Sequence, residues 1–327
     1  MDKEAPVFTL PEGHVTVLLR EAVDALQPRP GGIYIDGTFG GGGHSSLLLE
    51  AVGGEATLFA IDADPAAIDR ARMLAASPLG RGVIPVHANF RDLGLIARER
   101  GIAQVDGILL DLGLSSFQLD EAERGFAFRF EGPLDMRFDP TQGQSAADLV
   151  NTLEAEDLAR IFWRYGEESR SRQIARAIVD RRATAPITTT TDLAALVEKA
   201  VGGRRGKAIH PATKTFQALR IAVNEELSAL ETVLESAIDL LRPGGRIAVI
   251  AFHSLEDRIV KQTFALESQS CICPPDQPVC TCDHRARLRR IGKPVKPADS
   301  EIATNPRSRS AIMRVAERLA EPGSGQS

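Results

Sequence analysis

Cysteine, tryptophan and tyrosine are scarce in this 327-residue chain, at 4, 1 and 2 residues. All the cysteines (Cys271, Cys273, Cys280 and Cys282) fall inside one short stretch, so no disulfide framework can staple the fold. Charge of one sign is not in excess. Lys and Arg number 39 against 44 for Asp and Glu, a formal net charge of -5. That excludes a wholesale basic nucleic-acid coat but leaves room for a local cationic patch. No apolar run approaches the roughly 20 residues of a bilayer-spanning helix. The start, Met1-Asp2-Lys3-Glu4-Ala5-Pro6, has no cationic segment leading into an apolar one. The expectation is a cytoplasmic protein with no membrane partner. What is present is ordinary: 43% hydrophobic and 25% charged residues. A disordered chain is thereby excluded, and the length suggests two domains at roughly 150 residues each.

The first third alternates short apolar runs with helical segments. Strand candidates are Ile33-Tyr34-Ile35 ending at Asp36, Leu58-Phe59-Ala60-Ile61 ending at Asp62, Val83 to Val86, and Gly107-Ile108-Leu109-Leu110 ending at Asp111. Helical stretches begin near Ser45 and at Pro65, a favourable first helical position. Near-continuous apolar strands separated by helices predict a parallel α/β sheet covered on both faces. Between about Ser116 and Leu219 no strand pattern is found. Helices are expected over Glu154 to Tyr165 and Arg170 to Arg182, with a third capped by Thr191. One long amphipathic helix is then expected from Leu219 to Leu241, stopped by Pro243-Gly244-Gly245. A fifth strand follows at Ile247 to Ile250, and Ile312 to Val315 offers a closing one. The pattern reads as a discontinuous α/β core, 1–115 with 219–327, interrupted by a helical insert, 116–218. The insert leaves at the C-terminal strand ends, where open sheets bind ligands.

Asp36-Gly37-Thr38-Phe39-Gly40-Gly41-Gly42-Gly43-His44 joins the first strand to a helix. Glycines there let backbone approach a ligand closely. A run of four glycines nearly matches a dinucleotide fingerprint, so this motif alone leaves the cofactor open. The acids discriminate better. A carboxylate ending the second strand, Asp62, suits the ribose of either NAD or S-adenosylmethionine. Further negative charge from Asp36 and Asp111 favours a sulfonium and an α-amino group over a pyrophosphate.

On these residues the chain resembles the RsmH (MraW) family of S-adenosylmethionine-dependent methyltransferases. The matching stretches run in order along almost the whole chain. They are His14-Val15-Thr16-Val17-Leu18-Leu19, the glycine turn, Asp111-Leu112-Gly113-Leu114-Ser115-Ser116 with Gln118-Leu119-Asp120, and Gly132-Pro133-Leu134-Asp135-Met136-Arg137. Further on come His210-Pro211-Ala212-Thr213-Lys214-Thr215-Phe216-Gln217-Ala218-Leu219-Arg220, Phe252-His253-Ser254-Leu255-Glu256-Asp257-Arg258 and Asn305-Pro306-Arg307-Ser308-Arg309-Ser310. In the wider acid-x-Gly-x-Gly-x-Gly pattern, which falls on Asp36, Thr38, Gly40 and Gly42, threonine replaces the first glycine.

The resemblance implies a Rossmann-like class I methyltransferase core with an inserted helical domain. It implies methylation of N4 of a cytidine in the decoding region of 16S ribosomal RNA within the small subunit, with S-adenosylhomocysteine as product. It also implies that Gly42, Gly43 and His44 line the methionine end of the cofactor and that Asp62 takes the ribose hydroxyls. Phe90 would pack beside adenine, and Asp111 and Gln118 would complete the pocket. His44, opening a helix, reads equally as a capping residue.

An exocyclic cytosine amine is a poor nucleophile because its lone pair is delocalised. It needs alignment with the methyl group and acceptors for its hydrogens. Asp111, with the carbonyls of Leu112 and Gly113, is the expected catalytic acceptor, and no metal is required. A base-stacking ring is expected from Phe117 or Phe126. His253 reads as a base, an RNA contact or a capping group. Asp135 and Arg137 are read as meeting the target nucleotide in preference to pairing with each other.

Phosphate contacts are expected from Arg204, Arg205 and Lys207, and from the run Arg285, Arg287, Arg289, Arg290, Lys293, Lys296. The four cysteines, with His284 nearby, either surround a structural zinc or remain free thiols. The oligomeric state is monomer or homodimer. Two rivals are a nicotinamide-dependent oxidoreductase, which an acid such as Asp111 beside the glycine turn disfavours, and a non-catalytic ribosome-assembly factor, which the acids at three strand ends disfavour.

Overall fold

The computed structural model describes residues 15–204, 209–274, 277 and 279–320. Met1 to Pro6, His14, Arg205 and Lys207, all named above, lie outside these residues.

The strands are β1 (Gly32–Asp36), β2 (Ala56–Asp62), β3 (Val83–His87), β4 (Val105–Asp111), β5 (Leu241–Ala251), β6 (Leu288–Val295) and β7 (Ile312–Arg318). Around them run α1 (Leu19–Leu26), α2 (Gly43–Ala51), α3 (Pro65–Ala75) and α4 (Leu93–Glu99). Then come α5 (Ser116–Asp120), α6 (Ala146–Thr152), α7 (Ala155–Gly166), α8 (Ser171–Arg182), α9 (Thr190–Ala200) and α10 (Thr213–Asn224). The last three are α11 (Glu226–Leu240), α12 (Ser254–Glu267) and α13 (Asp299–Thr304).

The sheet has seven strands in the order β3-β2-β1-β4-β5-β7-β6. β1 to β5 pair in parallel, and β7 runs antiparallel to both neighbours. Alternation along each strand sends successive side chains to opposite faces. Tyr34, Leu58, Leu109 and Ala248 join one apolar cluster with α1, α2 and α3. Ile35, Ile108, Leu110 and Val249 join another with α4, α11 and α12. β4 is buried from Val105 to Leu110, and only Asp111 at its end reaches partial exposure. Each fully buried Leu or Ile in such a strand contributes ~1.5–3 kcal/mol. Chain direction across the sheet reverses between β1 and β4, so the ends of these strands open a crevice.

The chain divides into two compact units, 1–113 with 227–327, and Leu114–Glu226. The second unit is helical and has its own core, built on Leu158, Phe162, Ile174, Ile178, Leu193 and Phe216. Its only departure from helix and loop among the described residues is a single antiparallel bridge, Pro133 to Thr189.

Several local expectations are corrected. The run from Leu219 to Leu241 is two helices, because Glu225 adopts φ 50, which ends α10. Arg220 then binds Glu226 at the start of α11 through Nε and a terminal nitrogen, both at 2.7 Å. The fifth strand begins earlier than expected, at Leu241. Four residues, Arg242 to Gly245, bulge between the pairs Leu241–Val105 and Arg246–Gly107. Part of the basic run, given no element from the sequence, is an edge strand, Leu288–Val295, paired with β7. Its adjacent charges, Arg289 and Arg290, hide it from a search for apolar strands. The cap of α9 is Thr189 rather than Thr191; its hydroxyl accepts from the Asp192 amide.

Candidate active site

β1 ends in Asp36, and the chain then crosses the top of the sheet through the glycine turn. Gly42 caps α2 at φ 79, a conformation that costs glycine nothing. Gly43 is needed for a different reason: a Cβ there would lie 2.1 Å from Thr16 Oγ1. The 15–18 segment is thus packed directly on the turn. Two long-range bonds hold it there. The Leu18 amide donates to Glu301 Oε1 at 2.9 Å, and Asn305 Nδ2 donates to the Val15 carbonyl at 3.0 Å.

That segment orients His44. The ring is 5% exposed, and its Nε2 lies 3.1 Å from the Val17 carbonyl. A carbonyl only accepts, so Nε2 carries the hydrogen and Nδ1 is turned the other way. Nδ1 stands 3.8 Å from Asp111 Oδ2, a charge contact too long for a hydrogen bond. His44 is therefore not the helix cap; Gly42 is.

Three carboxylates crown the strand ends, and each is pushed toward its neutral form. Burial raises Asp36 to about 6, against the opposing hydrogen bonds from Ser45 Oγ at 2.7 Å and the Thr38 amide at 3.2 Å. Burial likewise raises Asp62 to about 6, although it accepts from the Gly40 and Asp64 amides, both at 2.8 Å. Asp111 is raised well above the usual carboxylate range, by burial first and then by the charges of Asp36 and Glu256. Its Oδ1 is buried and, among the described residues, has no hydrogen-bond partner.

Thr38 explains why a threonine stands where a glycine is usual. Its Oγ1 accepts the Asp111 amide at 2.6 Å and so ties the turn after β1 to the end of β4. Asp62 ties the other side through Gly40, whose carbonyl also accepts from Arg70 Nε at 2.9 Å. The turn is held by backbone groups and short side chains, with Phe39 packed against Gly42 and Thr16 against Gly43.

The other expected residues distribute as follows. Phe90 begins a short 3-10 helix after β3, and its Cβ lies 3.5 Å from where a Cβ on Gly37 would stand. Gln118 belongs to the helical unit, where its side chain accepts from the Ser115 amide at 3.2 Å and completes a capping box on α5. His253 caps α12: its Nδ1 accepts from the Glu256 amide at 3.4 Å, and its own amide donates to Glu256 Oε2 at 3.2 Å. Asp135 and Arg137 do not await a nucleotide. They pair with each other, Nε to Oδ1 at 2.9 Å and the terminal nitrogen to Oδ2 at 2.6 Å, because both sit in one tight turn. Phe126 cannot stack on a base, since it is 6% exposed and stacked on Phe138 at 5.7 Å.

Sequence reasoning missed Ser45, Glu256 and the clamp through Glu301. Glu256 carried a usable signal, three residues after His253 at the start of an amphipathic run, which is capping-box spacing. Beyond β5, the first unit also has a cavity of about 390 Å³ lined by Phe252, His253, Ser254, Arg258, Lys261 and Ile312.

A buried, unpartnered carboxylate oxygen beside two further acids, next to the glycine turn, is a site for a ligand that brings positive charge of its own. Together with a parallel sheet closed by an antiparallel strand between its fifth and edge strands, it defines a Rossmann-like S-adenosylmethionine-dependent methyltransferase. The donor's sulfonium and α-amino groups fit Asp36 and Asp111, and its ribose fits Asp62. The chain belongs to the MraW methylase family, whose model matches residues 12–319. Ribosomal RNA small subunit methyltransferase H of Thermomicrobium roseum is 59% identical over 311 residues, 95% of each chain. The protein of the same name from Dehalococcoides mccartyi strain BAV1 is 54% identical over 314 residues, 96% of this chain and 88% of that one. A solved rRNA methylase from Streptococcus thermophilus overlays with a TM-score of 0.43 at 10% identity, over 94% of this chain and 99% of that one.

Proposed function

We propose that this methyltransferase modifies N4 of a cytidine in the decoding region of 16S ribosomal RNA, within the small subunit and in the cytoplasm, as a monomer or homodimer. The observation that carries the reading is Asp111 Oδ1, buried without a partner at the rim of the crevice. S-adenosylmethionine, when bound, supplies an electrophilic methyl group on a positively charged sulfur.

The chain's residues would do the rest. Gly42 and Gly43 shape the turn that would receive the methionine end, with His44 beside them. Asp62 retains acceptor capacity for ribose hydroxyls, since each of its oxygens takes only one amide bond. Phe90 provides an apolar face for adenine, and Gln118 remains a candidate for the donor. Asp111 accepts hydrogens from the incoming amine and stabilises the positive charge that grows on nitrogen. The target cytosine must be unstacked to reach this rim. Phe117 is the remaining candidate for a stacking ring, and the helical unit for substrate recognition. Arg258 and Lys261, lining the cavity beyond β5, suit a phosphate.

The test is methyl transfer to small subunits lacking this modification, followed by mass spectrometry of the digested 16S RNA. The expected product is N4-methylcytidine at one position. A methyl group on another atom, or calorimetry showing no affinity for S-adenosylmethionine, overturns the reading.

A further inference from the structure

The four thiols take no part in the chemistry above, yet they converge. Cys271 Sγ lies 3.5 Å from that of Cys280 and 3.8 Å from that of Cys282. Cys280 Sγ lies 3.6 Å from that of Cys282 and 4.0 Å from that of Cys273. All four sulfurs fall within 4.8 Å of one another. Sulfurs bonded to one tetrahedral zinc at ~2.3 Å stand ~3.8 Å apart, which is the spacing seen. A disulfide needs ~2.05 Å, and no pair approaches it. An iron–sulfur cluster spreads its cysteines around several metal atoms and would set them further apart.

The backbone also points at the sulfurs. The Ile272 amide donates to Cys282 Sγ, Cys273 to Cys271 Sγ and Thr281 to Cys273 Sγ, each at 3.4 Å. Amides aimed at sulfur stabilise thiolates, and thiolates this close repel one another without a cation between them. His284 is not part of this cluster of four; its Nε2 lies 3.1 Å from the Leu266 carbonyl.

We propose that Cys271, Cys273, Cys280 and Cys282 form a structural site for a single zinc ion. Four protein ligands leave no open coordination position, so the ion has no catalytic role. Its work is mechanical. The loop between α12 and β6 is closed at its base, where the Arg287 amide donates to the Glu267 carbonyl at 2.8 Å and the guanidinium binds the Glu267 carboxylate at 2.5 Å. The metal closes the tip. Between them they fix the approach to β6, the edge strand that carries exposed Arg290 and Lys293.

The experiment uses the full chain purified under reducing conditions without chelator. Metal analysis should find one zinc per chain, and cobalt substitution should give the visible spectrum of a tetrahedral thiolate site. Zinc should also slow alkylation of all four thiols together. The Cys273→Ser, Cys280→Ser double variant should lose zinc and the cobalt spectrum while binding S-adenosylmethionine as tightly as the parent. Failure to retain zinc after reconstitution overturns the proposal. So does zinc retained by the double variant, or alkylation at the same rate with and without zinc.

Discussion

The two units treat buried carboxylates in opposite ways. In the sheet unit Asp36, Asp62 and Asp111 are all raised, burial being the largest cause, and Asp111 keeps an oxygen with no partner. In the helical unit burial also pushes Asp135 up, but the hydrogen bonds and charge of Arg137 outweigh it and the acid is lowered. Arg220 and Glu226 are matched in the same two-bond fashion. A carboxylate with its cation already in place supports the fold. One left waiting costs stability until a ligand arrives. The difference separates scaffold from site more cleanly than burial or residue type does.

Replacing Asp111 should sharpen this contrast most. Asp111→Ala is expected to lower turnover by ~10²–10³-fold while thermal stability holds or rises. A melting temperature that falls instead would break the comparison, because Asp111 would then be a structural acid. The mirror experiment is Asp135→Ala, which strands a partly buried guanidinium. The side chains of Arg137 and Asp135 are 23% and 21% exposed, so the loss should be ~1–3 kcal/mol, read by urea unfolding. Thr38→Val removes the acceptor of the Asp111 amide and should cost ~1–3 kcal/mol together with donor affinity. Thr38→Ser should recover most of both in calorimetry.

pH gives the most diagnostic effect. Asp36 and Asp62 titrate near 3.9 when unfolded and at about 6 when folded. The folded state therefore takes up protons as pH falls between those values. The ligand-free protein should gain stability from these two groups as pH drops through 6. Affinity for the cationic donor should fall over the same range, since protonation removes the charge it meets. Asp135, lowered, contributes in the other sense: its stabilisation is present above ~4 and is lost as pH falls through the folded value. Parallel trends in stability and donor affinity would contradict the assignment.

Much of the sheet was legible because its strands are apolar runs ending in acids, and burial on both faces demands that pattern. β6 was not, since an edge strand needs no apolar face and this one carries Arg289, Arg290 and Lys293. The break at Glu225 was hidden for another reason: apolar periodicity continues across a single left-handed residue. At the site, residue type pointed to Asp36, Asp62 and Asp111. It could not show that Asp135 and Arg137 bind each other, because a two-residue spacing fits either a turn or a ligand contact. The link from Thr38 to Asp111 joins positions 73 apart and exists only once β1 and β4 lie side by side.

The clamp between Val15 and Asn305 joins positions 290 apart in the sequence. A ribosome adding roughly 5–20 residues per second needs on the order of fifteen seconds to a minute to make the intervening chain. Throughout that interval the growing polypeptide has its glycine turn but not the strap that seats His44. Chains that end before Asn305 thus lack the bond that ties Val15 down beside the turn.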